Sequence, residues 1–249
     1  MQKRAFFQFH SDLRELLRNT QRGEQFVYPF REAQSVKHLI ESAGIPHTEV
    51  AAILANGQPV NFSYLVQDGD RLNVYPPLGT PLQTPSLQPP PPRPIRFLLD
   101  NHLGKLTRYL RLLGFDALYP PDHLTDAELV QLAHDQQRVM LTRDRGLLMH
   151  KRIAHGCLLR SKETTEQVTA VLQRYDLYDE ISPWQRCLRC NGRLHPVPKA
   201  DILDRLEPKT KLYYEDFQIC QECGQIYWKG SHFAALEQWV AQIWGNEKL

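Results

Sequence analysis

The sequence has no long apolar run. No stretch approaches the ~20 consecutive apolar residues that span a bilayer, and the opening Met1-Gln2-Lys3-Arg4-Ala5-Phe6-Phe7 is too short in apolar residues for an export signal. No charge of one sign dominates either. The 30 basic and 28 acidic residues leave a net +2, so the chain as a whole announces no polyanion partner. Cysteine is scarce, at five residues in 249. Few thiols and no export signal fit a reducing cytoplasm and argue against a disulfide-stapled secreted scaffold. The length suggests two or three small domains.

Four of the five cysteines form two Cys-x-x-Cys pairs, Cys187-Leu188-Arg189-Cys190 and Cys220-Gln221-Glu222-Cys223, 29 residues apart. Each pair can fold as a knuckle that aims two thiolates at one point, and two pairs can close a tetrahedral zinc site with Zn–S distances of ~2.3 Å. A redox dithiol or two disulfides use the same residues, but two pairs in one segment favour zinc. Four protein ligands leave no open position, so such a metal holds structure and the chemistry lies elsewhere. Cys157, in Gly156-Cys157-Leu158-Leu159, reads as a buried strand residue.

Proline punctuates the chain. Residues 76–94 hold nine of the 18 prolines, a composition that supplies neither ladder donors nor helix interiors and reads as an extended, semi-rigid linker. It separates residues 1–76 from a larger remainder, with the linker proper at 77–94. Before it, strands are expected at Arg4–Phe9, Glu24–Phe30, Glu49–Ala55 and Arg71–Pro76, and a helix at Gln34–Ala43 stopped by Gly44. Asn56-Gly57 is a hairpin turn. A sheet wrapping one helix is a β-grasp. The run from Asn56 to Val60, then Asp68 to Pro76, resembles the ubiquitin-like sulfur carriers. Those end in a free Gly-Gly tail, whereas here the chain runs on into prolines, so the domain reads as a docking module for a protein partner.

After the linker, strands and helices alternate: Ile95–Asp100, helix 102–113, Ala117–Tyr119, helix Thr125–Gln136 opened by the capping box Thr125-Asp126-Ala127-Glu128, Val139–Thr142, Gly156–Arg160 and helix Glu163–Arg174. Such alternation predicts a parallel α/β sheet. The cysteine ribbon follows at 183–230, and a helix at Phe233–Trp244. In helix 102–113, Leu103, Leu106, Leu110 and Leu113 share one face, while Lys105, Arg108 and Arg111 occupy another. Residues 93–160 carry +4, a basic bias compatible with nucleic acid.

Sites in open parallel sheets form beyond the carboxyl ends of the strands. Asp100 and Asp144 both stand there, and Asp126 opens the intervening helix. Converging carboxylates repel one another unless a hard cation such as Mg²⁺ or Mn²⁺ sits between them, and such a centre hydrolyses phosphodiesters. Lys105, Arg108, Arg143 and Arg145 are candidates for backbone phosphates. The plainer readings are that Asp100 and Asp144 cap helices, that Asp126 complements a helix dipole, that Glu128 is a capping-box partner, and that Asp116 and Asp122 are solvated loop acids.

Phe97-Leu98-Leu99-Asp100, Leu103 to Asp116, Leu141-Thr142-Arg143-Asp144-Arg145, Arg186 to Asn191 and Tyr227-Trp228-Lys229-Gly230-Ser231-His232 occur in an order that resembles the Mut-seven C-terminal RNase family, over about residues 95–235. The resemblance implies a PIN-like nuclease domain at 95–180 with helices on both faces of its sheet. It also implies a zinc ribbon with a C-terminal helix at 181–249, an N-terminal ubiquitin-like domain, and metal-dependent ribonuclease activity through Asp100, Asp126 and Asp144. Related PIN-like proteins often carry an acid two positions after the one matching Asp144, where this chain has Gly146. The resulting expectation is a cytoplasmic Mg²⁺- or Mn²⁺-dependent endoribonuclease. In it Arg189, Arg193, Lys229 and His232 extend the RNA surface, and Tyr227 and Trp228 either stack on bases or pack in the core. The alternatives are a non-catalytic RNA- or ribosome-binding adaptor and a partner module in sulfur transfer or RNA modification.

Overall fold

A computed structural model describes residues 2–17, 23, 25–78, 84–121 and 123–245. The N-terminal sheet is built from β1 (Lys3–Phe9), β2 (Phe26–Phe30), β3 (Ala52–Ala55), β4 (Gln58–Pro59) and β5 (Arg71–Tyr75), in the order β2-β1-β5-β3-β4. β1 runs parallel to β5 and antiparallel to β2, and β3 is antiparallel to both β4 and β5. The period-2 alternation of β1 buries Ala5, Phe7 and Phe9 on one face. Against the sheet's core lie α1 (Leu13–Leu16) and α2 (Val36–Ser42), which bury Leu13, Leu16, Val36, Leu39 and Ile40. The Ser35 hydroxyl caps α2 by accepting from the His38 N–H. Asn56 and Gly57 both take positive φ, as the two-residue β3–β4 turn requires. The β-grasp is therefore present.

The expected strand at Glu49–Ala55 begins only at Ala52, because His47–Glu49 winds into a 3-10 turn and Glu49 is buried as a hydrogen-bonding group. Positions 79–83 of the proline-rich stretch, Glu24 at the head of the expected second strand, and Asp122 lie outside the described residues. Residues 84–94 carry no helix or strand, in keeping with their composition. They are nonetheless strapped down. The Leu87 N–H donates to the Ala51 carbonyl at 2.6 Å, and Gln88 Nε2 donates to the carbonyls of His47 and Val50 at 2.6 and 2.8 Å.

Downstream, β6 (Arg96–Leu99), α3 (Gly104–Leu112), β7 (Asp116–Leu118), α4 (Asp126–Asp135), β8 (Val139–Thr142), α5 (Arg145–Met149), β9 (Gly156–Leu158) and α6 (Thr164–Tyr175) alternate as expected. β6 pairs in parallel with β7, and β8 with β9. Both halves of the α4 capping box form. The ribbon is an antiparallel sheet in the order β10 (Leu194–Val197), β11 (Phe217–Cys220), β12 (Ile226–Trp228). Its long insert holds α7 (Lys199–Ile202) and α8 (Pro208–Tyr213), two short helices that the sequence did not announce. The chain then forms α9 (Phe233–Gly245).

The chain divides into two compact units, each discontinuous in sequence: residues 1–94 with 122–159, and residues 95–121 with 160–249. In the first, the 3-10 turn of the β-grasp packs on β9 and α5. The buried Glu49 carboxylate accepts the Leu158 N–H at 2.9 Å, and His47 Nε2 donates to the Ile153 carbonyl at 3.1 Å. Cys157 is buried in β9 opposite Leu141, as read. In the second unit, Phe97 of β6 meets Phe115 and Tyr175 edge-on, each at 6.2 Å. Trp239 of α9 lies 4.4 Å from Tyr109 of α3 and donates its indole N–H to Thr165 Oγ1 of α6. The ribbon has its own small core of Ile202, Leu206, Phe217 and Ile226. No helix among the described residues is long and apolar enough to cross a membrane.

Candidate functional site

The two cysteine knuckles are copies of one backbone design. Cys187 N–H donates to the Gly192 carbonyl at 2.8 Å and Asn191 N–H to the Cys187 carbonyl at 2.9 Å. Cys220 N–H donates to the Gln225 carbonyl and Gly224 N–H to the Cys220 carbonyl, both at 2.9 Å. In each, the residue after the second cysteine is left-handed: Asn191 with φ 76°, Gly224 with φ 69°. Asn and Gly are the residues that tolerate that conformation, so the repeat is written into the sequence at those two positions.

The knuckles bring the four sulfurs within 4.8 Å of one another. Cys187 Sγ lies 3.6 Å from Cys223 Sγ, and Cys190 Sγ 3.4 Å from Cys220 Sγ. Tetrahedral zinc with ~2.3 Å bonds calls for sulfurs ~3.8 Å apart, so the donor set and its spacing fit the ion. Without a cation the thiols work against each other. Burial opposes ionisation of Cys187, but hydrogen bonds from Tyr227 and the backbone N–H groups of Cys190 and Arg189 outweigh it and bring its pKa to about 7. Burial pushes Cys190 up to about 12. The Tyr227 oxygen accepts the Leu188 N–H at 3.0 Å and lies within hydrogen-bond reach of Cys187 Sγ at 3.2 Å. Tyr227 is therefore part of the cysteine centre, and its hydroxyl is committed there.

A polar brace ties the first knuckle to α3 and β7. Arg111, expected on the solvated basic face of α3, is instead buried, because the knuckle covers it. Its Nε donates to the Ala117 carbonyl at 2.8 Å and its Nη1 to the carbonyls of Leu188 and Arg189 at 3.1 and 3.0 Å. Asp116, read as a solvated loop acid, accepts from Asn191 Nδ2 at 2.9 Å and lies 3.7 Å from Arg186 Nη2. Asn191 Oδ1 in turn accepts the Ala117 N–H at 3.1 Å. The motif Arg186 to Asn191 thus carries two residues besides its cysteines that fix the ribbon.

The acids stand at the element ends where the sequence put them. Asp100 follows β6 and is buried, its Oδ1 accepting the His102 N–H at 3.0 Å. Asp144 follows β8 as the exposed N-cap of α5. Its N–H donates to Thr142 Oγ1 at 2.8 Å and its Oδ1 accepts the Gly146 N–H at 2.7 Å. Asp126 is the exposed first residue of α4. Among the described residues, the four cysteines form the set of three or more Cys, His, Asp or Glu with ligand atoms all within 4.8 Å.

Of the basic candidates, Lys105 and Arg108 are exposed on α3 and Arg143 is exposed after β8. Arg145 is engaged: Nη1 donates to the Leu16 carbonyl at 2.6 Å and approaches that of Gly44 at 3.4 Å. On the ribbon, Arg189, Arg193 and His232 are exposed, and Lys229 Nζ sits 5.3 Å from the Phe233 ring centre. Trp228 is 39% exposed and borders an open groove of about 1210 Å³ that Trp184, Tyr214 and Phe233 also line. A smaller hollow, about 200 Å³, has Arg138, Arg152, His134 and His155 on its wall and no carboxylate. The sequence reading passed over those four, which are scattered through a stretch rich in basic residues.

The comparisons agree with this arrangement. Residues 2–80 match the Mut7-C ubiquitin domain and residues 95–240 the Mut7-C RNAse domain, in that order. No curated protein matches the chain. The chain belongs to the Mut7-C RNase family, with a ubiquitin-like domain ahead of a ribonuclease-type domain whose four cysteines are grouped as a zinc ribbon requires.

Proposed function

We propose that the protein is a metal-dependent endoribonuclease of a reducing cytoplasm, with zinc in the ribbon serving structure alone. The match of residues 95–240 to an RNase domain carries this reading. Asp100, Asp126 and Asp144 are the proposed ligands of Mg²⁺ or Mn²⁺. Carboxylate oxygens are the donors these hard cations take, and two of the three stand within two residues of the carboxyl ends of strands in parallel pairs. When bound, such an ion supplies Lewis acidity at the phosphoryl oxygen and a more acidic water. The chain's own part is to present the carboxylates and to hold the polyanion. Lys105, Arg108 and Arg143 would neutralise backbone phosphates, each adding to the salt dependence of binding. Trp228 offers an exposed face for an unpaired base.

The test is single-turnover cleavage of mixed structured and unstructured RNAs with Mn²⁺, beside an Asp144→Asn variant and a reaction lacking Mn²⁺ at constant zinc, so that the ribbon stays loaded. Cleavage by the native chain and loss in both controls is expected. The second reading, a non-catalytic RNA-binding adaptor, is favoured by one observation: Asp144 already serves as a helix cap, and Gly146 gives it a backbone N–H rather than a further acid. RNA binding with no cleavage under any divalent metal would establish that reading instead.

A further inference from the structure

α5 is five residues long and follows β8 through only Arg143 and Asp144. A helix this short has no stability of its own, so its conformation is imposed by what it touches. Its N-terminal turn rests on three things. Asp144 N–H donates to Thr142 Oγ1, Asp144 Oδ1 accepts the Gly146 N–H, and Arg145 reaches 129 residues back in sequence to the Leu16 carbonyl. Leu16 is the last residue of α1, and Gly44 directly follows the C-cap of α2. Carbonyls at helix C-termini lack intrahelical donors and carry partial negative charge, which a guanidinium satisfies well. Arg145 Nη1 thus lies where two helix ends of the β-grasp converge. Close by, Glu49 and His47 of the same domain hold Leu158 and Ile153.

We infer that the ubiquitin-like domain fixes the Asp144 loop, with Arg145 as the positioning residue. This rests on the reading of Asp144 as a metal ligand. It reassigns the exposed Arg145 from phosphate contact to a pin on the β-grasp, and it makes the N-terminal domain a built-in determinant of the site's geometry. Misplacing a metal-binding carboxylate by about 1 Å costs up to about a hundredfold in rate, so a domain outside the RNase match can govern turnover without touching RNA.

The two roles of Arg145 separate cleanly in kinetics. The full chain is compared with Arg145→Ala, Arg145→Lys and Gly44→Ala. Gly44 has φ +92°, so an added Cβ is strained there, and it would lie 3.5 Å from Arg145 Nη1 and 3.8 Å from the Leu16 carbonyl oxygen, disturbing the pin while leaving the loop's own residues unchanged. Melting curves establish that each variant is folded. A pin predicts that Arg145→Ala lowers kcat about ten- to a hundredfold with KM and the salt dependence of RNA binding unchanged. It also predicts that α5 amides exchange hydrogen faster, that Gly44→Ala moves in the same direction, and that lysine, which can still donate to both carbonyls, restores much of the loss. A raised KM and a salt slope shallower by about one unit, with α5 exchange unchanged, would overturn the pin in favour of a phosphate contact. If the native chain cleaves nothing, the nuclease reading falls by itself and the exchange data decide: α5 protection equal in all variants overturns the pin, and its loss in Arg145→Ala and Gly44→Ala sustains it.

Discussion

Arg111 Nη1 donates to the carbonyl of Leu188 at 3.1 Å, and through that bond a helix of the RNase domain holds the backbone of a cysteine knuckle. The cation is buried, and burial presses its pKa down, while Cys187, Cys190 and Asp116 pull it back up. A zinc held by four thiolates would carry excess negative charge, which this guanidinium would offset. Arg111→Met should cost about 2–4 kcal/mol, because one buried and two partly buried carbonyls lose their donor, and should weaken zinc binding about ten- to a hundredfold. Denaturant unfolding and competition with a chelating dye read the two effects. Lysine cannot reproduce a fork spanning Ala117 and Leu188, so Arg111→Lys should recover little.

Removing one zinc ligand should act on the ribbon as a whole. Cys220→Ser is expected to abolish stoichiometric zinc and to cost several kcal/mol, lowering the melting temperature by about 10 °C. Metal analysis beside calorimetry checks both. Equal zinc content and equal melting in the variant would exclude a structural role for the metal.

Glu49 is 3% exposed, and its carboxylate takes a backbone N–H from β9. That N–H belongs to a strand whose ladder partner is β8, and a strand edge with no acceptor invites mispairing. Glu49→Leu should destabilise the first unit by about 2–3 kcal/mol and increase aggregation on heating, which urea denaturation and light scattering would register.

His155 supplies a pH test. Burial lowers its pKa from the ordinary 6.5. The unfolded chain therefore binds its proton more readily, and the neutral ring's contribution is whole above pH 6.5 and is lost as pH falls through the depressed folded value. Stability of the native chain should decline as pH falls below 6.5, and His155→Gln should show a shallower acid limb there. An NMR titration of the ring places the midpoint directly.

What the sequence disclosed and what it hid follow one physical division. Asn56-Gly57, the capping box of α4, the leucine face of α3 and the paired Cys-x-x-Cys spacings are local signals, decided within a few residues, and each appears where it was read. Arg111, Glu49 and Arg145 are decided by partners far along the chain. Nothing in a stripe of Lys105, Arg108 and Arg111 says that a knuckle some 77 residues later will cover the third and spare the first two. Glu49 sits in an apolar neighbourhood that reads as strand, and only the donor on β9 turns it into a buried acid at the end of a 3-10 turn. The ribbon's insert was legible in length but not in form, since α7 and α8 are too short for periodicity to register.

The interleaving of the two compact units bears on how the chain can be made and cut. Because residues 122–159 complete a body begun by residues 1–94, while residues 95–121 await residues 160–249, no contiguous fragment holds one body whole without also carrying a piece of the other. A ribosome has released most of the chain before the first body can close. A fragment ending at residue 94 leaves the Glu49 carboxylate and the His47 ring facing water in place of Leu158 and Ile153. Fragments chosen at the proline-rich stretch should therefore be poor proxies for the protein, and a protease nick there should release nothing, since the two sides remain hydrogen-bonded to one another.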